Sequence, residues 1–533
     1  MNNDKTIPQS PWTMVIVLLM ALAGAAGIYM LSDSSPLHMR LEHLQSGRIA
    51  DVLAFDPQNP MLFNTGLFLV LFVAFMAIYQ AAARVRVLRM AVTILFSLFF
   101  YWKSSAECCF ILLGVAVADY YLGRWMGRDN RPATRRLIVW INVAMNVDML
   151  IYFKYFNLLL STFASMSGAE FSPWSIVLPA GISFFSFRSI SYIVDLYRGK
   201  MQPCDSLWDY VFFLTFFPPL LAGPVVRAVD FLPQIRQNRM ATHAMVSEGL
   251  FLVMCGLVKK VVIADYISGN FVDRIFDNPG LYSGFENLMG AIAYTLQLYC
   301  DFSGYSDMAI GLALILGFRF MDNFDAPFKS QSPTDFWRRW HISLSTWLRD
   351  YIYIPLGGNR KGAVRQYGNL VTTMLVGGIW HGASWMYLLW GAYHGVLLVV
   401  HKLIKKVWRL PARLVGTRPV IVFNILLTMA LTVGGMILFR SQSLEHAGVM
   451  LHQIFTDFRP QVIVPFIAGY PVILAVIIGA YIMHYLPRRL TDAARDRFVA
   501  VPLVWQAIIL ALVLFVVIQT RQSSLVPFLY LKY

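Results

Sequence analysis

The sequence Phe336-Trp-Arg-Arg-Trp-His-Ile-Ser-Leu-Ser-Thr-Trp347 places a histidine between tryptophans, in a chain built mostly of apolar segments. A second such histidine follows in Trp380-His-Gly382, forty residues after the first. Histidine is uncommon at membrane depth, and it titrates near neutral pH, so it can accept or donate a proton there. His341 and His381 therefore indicate a reaction site rather than packing alone.

The composition indicates a polytopic membrane protein. Of the 533 residues, 58% are hydrophobic and 14% are charged, whereas soluble domains carry about 25% charged residues. The mean hydropathy is +0.58. The formal net charge of +15 belongs to short loops between apolar segments, as the positive-inside rule describes. This placement argues against nucleic acid as a partner and favours the lipid bilayer.

The five cysteines do not suggest a disulfide framework or a zinc site, because their number is odd and no Cys-x-x-Cys pair occurs. Cys300 lies beside Asp301, where it could serve catalysis, but a small buried apolar residue is the favoured interpretation. Ligation of a metal by His341 and His381 lacks a supporting carboxylate pair or His-x-x-x-His motif. We therefore predict no metal site.

Apolar segments of membrane length predict an all-α fold. Candidate spans are 12–31, 61–80, 90–102, 107–122, 137–153, 173–195, 243–264, 284–317, 368–383, 386–402, 420–440, 467–485 and 501–520. Segment 12–31 is long enough for a retained helix rather than a signal peptide. Segment 284–317 is too long for one upright helix, so we expect it to tilt or break at Gly304. The prolines of segment 208–224 predict a re-entrant or buried irregular element.

Four basic clusters predict the orientation of the chain, because positive loops stay in the cytoplasm. They lie at 84–89, 124–136, 402–413 and 488–497. The loops 32–60, 154–172, 265–283 and 441–466 are sparsely charged and are expected on the outer side. The amino terminus is then cytoplasmic and the carboxyl terminus external.

Residues 332–351 predict one amphipathic helix that begins at Ser332 as its cap, with Pro333 in its first turn. Apolar and aromatic residues recur at helical spacing on one face: Trp337, Trp340, Leu344, Trp347, Leu348 and Tyr351. Arg338, His341, Ser345 and Arg349 recur on another face. The pattern fits an interfacial helix with tryptophan anchors. It also fits a donor site in which arginines bind phosphate and His341 faces a pocket, and spacing alone leaves both open.

His381 lies late in the apolar segment that begins near Gly368, about 20 Å along a helix at 1.5 Å per residue. One interpretation is a histidine that is hydrogen-bonded across helices. The other is a general base that deprotonates a hydroxyl for attack on an acyl group. No Gly-x-Ser-x-Gly supports a serine hydrolase. His394 and His401 share one face of the next helix without a catalytic pattern.

Several blocks of the sequence resemble the membrane-bound O-acyltransferase family, in particular its bacterial alginate O-acetylation branch. They include Phe336–His341, Tyr351–Gly358 and Trp380–Gly382, with support from 178–187, 217–227 and 297–307. The resemblance implies a ring of about 11–13 transmembrane helices with re-entrant elements around a central tunnel. It runs from about residue 61 to the carboxyl terminus, so we expect an acyltransferase domain over 61–533 and an amino-terminal extension over 1–60 with one extra helix.

The resemblance also implies roles for particular residues. His381 matches the family's near-invariant histidine, and His341 matches its second polar catalytic position. Donor-binding residues would be Arg338, Arg339, Trp337 and Ser345, and tunnel-lining residues would be Asp301, Ser303 and Trp380. The chain departs from the family pattern at Arg188, where glutamine is expected. This arginine is expected to alter the donor site or to face lipid headgroups.

The implied activity is transfer of a short acyl group, acetyl, from a cytoplasmic donor to an exported polysaccharide such as alginate or cellulose. The donor would be acetyl-CoA or an acyl-carrier thioester, with no bound cofactor. A periplasmic acetyltransferase would be the partner, and the bacterial inner membrane the location. The alternatives are D-alanyl transfer to teichoic acid from a carrier protein, and a non-catalytic transporter or scaffold. No internal inverted repeat supports a transporter.

Overall fold

A computed structural model of the chain describes residues 60–237, 240–407 and 416–520, with a few isolated positions outside these ranges. Every regular element in this described part is a helix. The predicted first span, 12–31, falls largely on residues outside the description, as does most of the extension 1–60. The extra helix and the domain boundary at residue 60 therefore stay predictions.

Within the described ranges, eleven helices lead up to the segment of the first histidine. They are α1 Gly66–Ala81, α2 Arg86–Ser105, α3 Cys108–Arg128, α4 Pro132–Leu150, α5 Phe156–Ser167, α6 Ile182–Tyr197, α7 Leu207–Thr215, α8 Ala228–Gln237, α9 His243–Leu257, α10 Asp273–Asp277 and α11 Gly284–Ile315. Turns of π-helix at Ile151–Tyr155, Val258–Asp265 and Ser268–Val272 connect some of them.

Ten further helices carry both histidines and the carboxyl-terminal part of the fold. They are α12 Pro333–Arg339, α13 Ile342–Leu348, α14 Ala363–His381, α15 Trp385–Val407, α16 Arg418–Arg440, α17 Leu444–Thr456, α18 Ile463–Gly469, α19 Pro471–Tyr485, α20 Arg488–Ala500 and α21 Leu503–Thr520. A π-helical turn, Arg349–Tyr353, follows α13.

Within the described residues, six helical segments are long and apolar enough to cross a membrane. A seventh arises if the bent pair Pro460–Gly469 and Pro471–Tyr485 counts as one span. The other predicted spans that the structure describes are shorter or more polar than this test allows. The prediction of an all-α, multi-pass membrane protein is confirmed.

The loop predicted at 154–172 is wrong over most of its length. The helix that begins at Pro132 continues through the π-helical turn to Ser167, and the whole segment spans 36 residues. Apolar side chains such as Phe156 and Leu158 continue the helix past Lys154. It ends at Gly168, whose φ of 70° is left-handed, as glycine readily allows.

The long helix α11 is continuous over its 32 residues, so the break expected at Gly304 does not occur. Gly304 and Gly311 instead face Gly256 and Gly249 of α9. A Cβ at Gly304 would lie 2.8 Å from the Gly256 carbonyl oxygen, and one at Gly311 would lie 2.5 Å from that of Gly249. These glycines let two antiparallel helices approach closely, as small residues do in membrane proteins.

The proline-rich segment after α7 is buried irregular backbone, as predicted. Its amide groups find partners on neighbouring helices: Phe217 N–H donates to Ser97 Oγ at 3.2 Å, and Val225 N–H donates to Ser343 Oγ at 2.9 Å. Non-helical backbone is tolerated at membrane depth only when it is satisfied inside protein in this way.

Basic residues from three of the four predicted clusters lie at one end of the molecule, the basic end. Arg86 pairs with Asp209 at 2.8 Å, Arg124 pairs with Asp205 at 3.1 Å, and Arg488 lies 3.8 Å from Asp325. The segments that carry these aspartates are joined, because Arg236 contacts Asp205 and Gln234 bonds to Arg319. The helix α11 ends near Arg319, and it begins at the opposite end, where Gly284 N–H donates to the Asp457 carbonyl at 2.8 Å. The basic end is expected to face the cytoplasm.

Candidate active site

His381 is the last residue of α14 and is 4% exposed. The helix ends there because Gly382 continues in extended backbone, tucked against the ring of Tyr387. The helices α14 and α15 form a close hairpin around this end. Gly378 and Gly391 face each other in it, since a Cβ at Gly378 would lie 3.1 Å from the Gly391 Cα.

The prediction of one continuous helix over 332–351 is wrong. The start is as predicted, since Ser332 Oγ accepts the Asp335 N–H at 3.2 Å and Pro333 occupies the first turn. The helix then breaks at Trp340 and His341, and His341 has the left-handed backbone angles φ 43° and ψ 57°. A non-glycine residue in this region is uncommon and costs backbone strain.

Tertiary hydrogen bonds explain the break. The Ile342 N–H donates to the Asn323 carbonyl at 2.9 Å, and the Asp325 N–H donates to the Arg339 carbonyl at 2.9 Å. The segment 323–325 thus takes backbone groups that an unbroken helix would use for itself. Helical periodicity in the sequence does not reveal that another segment competes for these backbone hydrogen bonds.

The same asparagine orients the His341 ring, which is fully buried. Its Nδ1 lies 3.1 Å from Asn323 Oδ1, which also accepts Ser343 Oγ at 2.8 Å, while Asn323 Nδ2 donates to Ser306 Oγ at 3.0 Å. Because an amide oxygen only accepts, Nδ1 carries the proton in this arrangement, and Nε2 is the acceptor nitrogen of the ring.

The structure brings the two histidines together around one indole ring. The Trp380 ring centre lies 5.7 Å from that of His341 and 5.0 Å from that of His381. Trp390 meets His381 edge-on at 4.8 Å, and Phe302 meets His341 edge-on at 4.6 Å. The imidazoles therefore share one buried aromatic cluster in which water competes little for hydrogen bonds.

The break separates Trp337, Arg338 and Arg339, which belong to α12, from His341 and Ser345, which lie at the start of α13. Arg338 is exposed, and Arg339 pairs with Asp335 at 3.1 Å. Ser345 Oγ donates to the Trp340 carbonyl at 3.2 Å. Trp337 turns inward instead, with its ring 5.2 Å from that of His394. Contact of these four residues with a donor stays a prediction.

Of the predicted tunnel-lining residues, only Trp380 lies between the histidines. Asp301 forms a buried ion pair with Lys260 at 2.6 Å, and Lys260 also contacts Asp265 at 2.8 Å. Ser303 is buried on the same helix. Between them Phe302 faces His341, and successive helical residues point in different directions, so Asp301 and Ser303 flank the site.

The burial of Cys300 and Arg188 decides between the interpretations that the sequence left open. Cys300 is a buried member of the apolar core, in line with the interpretation as a filler. Arg188 is fully buried, and its guanidinium stacks over the Phe213 ring at 5.0 Å, so the expectation that it faces lipid headgroups is wrong. In the part of the chain that the structure describes, no group of three or more His, Cys, Asp or Glu could hold a metal ion.

Sequence reasoning missed two residues that contact the histidine segments. Asn323 has no local signal, because its role depends on a fold that brings residues 323 and 341 together. Lys154 Nζ donates to the Trp380 carbonyl at 2.7 Å and lies 3.4 Å from the His381 carbonyl. A single lysine between apolar stretches is itself a functional signal in a membrane segment, and it could have been noticed.

The chain is similar to known proteins over the part that carries both histidines. Residues 205–441, which include both histidines, match the model of the membrane-bound O-acyltransferase family. The probable alginate O-acetylase of Pseudomonas syringae pv. tomato is 42% identical over 409 residues, which cover 74% of this chain and 75% of that protein. The peptidoglycan O-acetyltransferase of Helicobacter pylori is 36% identical, with coverage of 66% and 73%. The teichoic acid D-alanyltransferase of Bacillus subtilis is 27% identical, with coverage of 51% and 71%.

Proposed function

The chain belongs to the membrane-bound O-acyltransferase family, and we propose that it acetylates an exported polysaccharide from a cytoplasmic thioester donor. It is a multi-pass membrane O-acyltransferase. The proposal adds the acyl group, the acceptor class and the direction of transfer across the bacterial inner membrane.

The names of the relatives support the acyl group and the acceptor class. Two of them are named for O-acetylation, one of alginate and one of peptidoglycan. Both acceptors are glycans outside the cytoplasm, and both offer sugar hydroxyls. An exopolysaccharide such as alginate or cellulose is therefore the final acceptor we propose. A periplasmic acetyltransferase partner would carry the acetyl group from the hydroxyl that is acylated at this site to the polymer.

The observation that carries the proposal is the buried pair of histidines around Trp380. His381 would take the proton of the acceptor hydroxyl while its oxygen attacks the thioester carbonyl. The tetrahedral adduct then collapses: the new ester C–O bond is kept, the C–S bond breaks, and the histidine returns the proton to the leaving thiolate. His341 would accept a hydrogen bond at Nε2 from a second hydroxyl of the acceptor and so orient it.

The length of α14 sets how deep His381 lies from the basic end, where the donor would enter. His381 lies eighteen residues from the start of this helix at Ala363, about 27 Å at 1.5 Å per residue. Asn369 Nδ2 donates to the Gly358 carbonyl, so the first turns of α14 lie against the segment that follows the π-helical turn Arg349–Tyr353. A donor thioester, acetyl-CoA or an acyl carrier, would enter from the basic end, near the exposed Arg338.

A second candidate, transfer of D-alanyl to teichoic acid, is favoured only by the more distant relative named for that activity. It requires a charged carrier protein as the donor. Transfer from acetyl-CoA and transfer from a charged carrier, measured side by side with the purified protein, separate the two candidates.

The proposal is tested by His381→Ala and His341→Ala, with the exposed His452→Ala as the matched control. Loss of a general base costs about 10²–10⁴-fold in rate. We expect each catalytic variant to lose polymer-bound acetyl at least about 100-fold, with the protein still present in the membrane fraction. The His452 variant should match the parent. Full acetylation by the His381 variant would refute the assignment and would favour a scaffold.

A further inference from the structure

The carboxyl-terminal end of α14, which carries His381, is held by two adjacent side chains from the α4–α5 segment. Tyr155 Oη donates to the Ile379 carbonyl at 2.7 Å. Lys154 Nζ donates to the Trp380 carbonyl at 2.7 Å and lies 3.4 Å from the His381 carbonyl. Three successive carbonyls of the helix end are thus engaged by two neighbouring residues.

These contacts satisfy backbone carbonyls that have no partner within the helix. The last four carbonyls of a helix lack partners within it, and they carry the negative end of the helix dipole. In the apolar interior of a membrane protein, water cannot satisfy them cheaply. A lysine ammonium suits this position twice, because it supplies hydrogen-bond donors and a positive charge.

Lys154 has no other evident task. Its third donor direction reaches Ser183 Oγ at 3.4 Å, and no carboxylate pairs with it among the residues that the structure describes. A charge at this depth is costly unless its environment compensates it. Here the carbonyls at the end of α14 compensate the charge of Lys154, and the lysine in turn holds that end of the helix in place.

The backbone around Lys154 serves the same contact. Residues Ile151–Tyr155 form a π-helical turn between α4 and α5. A π-helical turn interrupts the α-helical register and is frequently found at functional sites. In this chain both residues that reach α14, Lys154 and Tyr155, belong to that turn.

We propose that Lys154 is a positioning residue of the acyl-transfer site, which fixes the His381 imidazole by holding the last carbonyls of α14. The inference rests on the proposed catalytic role of His381. Lys154 bonds to two carbonyls of α14 and to Ser183 Oγ, and it does not take part in proton transfer. Its effect reaches the reaction because a displacement of about 1 Å at a catalytic group can cost about 10²-fold in rate.

The test compares Lys154→Met, which keeps the side-chain length without a donor, with Lys154→Arg, which restores donors and charge. Lys405→Met, at an exposed position of α15, is the control for loss of a lysine. For each purified variant, kcat is measured per folded enzyme together with KM for the thioester donor. We expect kcat of Lys154→Met to fall about 30- to 100-fold, with KM within about twofold, and Lys154→Arg to recover most of that loss.

A purely structural role would lower the yield of Lys154→Met but leave kcat per folded molecule unchanged, and that result would overturn the inference. Failure of arginine to restore kcat would do the same.

If the methionine variant does not accumulate, Tyr155→Phe carries the test. It removes one bond to the same helix end without a change of charge, and it should lower kcat about threefold or more; an unchanged kcat would contradict the proposal. His381→Ala in the same assay separates the two levels: if it stays active, the proposed function fails, whatever Lys154 does.

Discussion

Substitution of Gly378 by alanine tests whether the α14–α15 crossing sets the position of His381. Gly378 lies one turn before the histidine, at a close approach of the two helices. A Cβ added there would lie 2.3 Å from the Tyr387 carbonyl oxygen and 3.1 Å from the Gly391 Cα. Both atoms belong to backbone, so neither can rotate away as the end of a side chain could.

The expected magnitude follows from these distances. A carbon and a carbonyl oxygen settle at about 3.3–3.6 Å even in favourable C–H···O contacts, so the helices must separate by about 1 Å. Overpacking of this kind costs about 1–3 kcal/mol, and the helix propensity of alanine over glycine offsets about 1 kcal/mol. A shift of 1 Å at a catalytic group lowers the rate by up to about 10²-fold. We therefore expect a modest loss of stability and a large loss of turnover.

Gly368→Ala is the matched control, because it makes the same change on the same helix. Among the described residues, a Cβ at Gly368 meets nothing within 4 Å. Both variants are purified in detergent, and the midpoint of thermal unfolding and kcat per folded enzyme are measured. Gly368→Ala should equal or exceed the parent in stability and match it in turnover. Equal stability and equal turnover in the two variants would refute the reasoning.

Two further predictions concern the surroundings of His341 and the basic end. Asn323→Ala should lower kcat about 10-fold or more, because it removes the acceptor that holds His341 Nδ1 at 3.1 Å; unchanged kcat would show that the ring is held otherwise. Burial raises the pKa of Asp350, but its hydrogen bonds and charge interactions with Arg349 and Arg227 outweigh burial and hold the pKa below its usual range. A carboxylate with a depressed folded-state pKa stabilises the protein above the unfolded pKa, and that contribution is lost as pH falls through the folded pKa. Asp350→Asn should therefore lower the unfolding temperature at pH 7, by a margin that shrinks below about pH 4; a margin independent of pH would contradict the ion-pair explanation.

The agreement between sequence and structure is best where the deciding interactions are local. The cap at Ser332 needs only its neighbour Asp335, and the sequence pattern predicts it correctly. The break at Gly304, one of the two outcomes expected for this segment, does not occur, because a glycine in a helix permits either a kink or a close contact. Which of these occurs depends on whether another helix, here through Gly256, lies opposite.

The burial of charged residues is harder to predict from the sequence. An arginine or lysine among apolar residues suggests a loop or a headgroup contact, yet Arg188 stacks on Phe213 and Lys154 caps a distant helix. The partners that compensate these charges are backbone carbonyls and ring faces. Every sequence offers these in abundance, so composition cannot single out the ones that are used.

The sequence by itself determined that this chain resides in a membrane, that its fold is helical, and that His341 and His381 are the candidate catalytic residues. Those conclusions depend on apolar length, on composition and on short blocks of residues, all of which are properties of neighbours along the chain. Only the tertiary structure decided that the helix breaks at His341, that Asn323 orients the ring, and that both histidines meet around Trp380. The physical reason is that each of these depends on hydrogen bonds or ring contacts between residues distant in sequence, and these compete with the local preferences that a sequence pattern records.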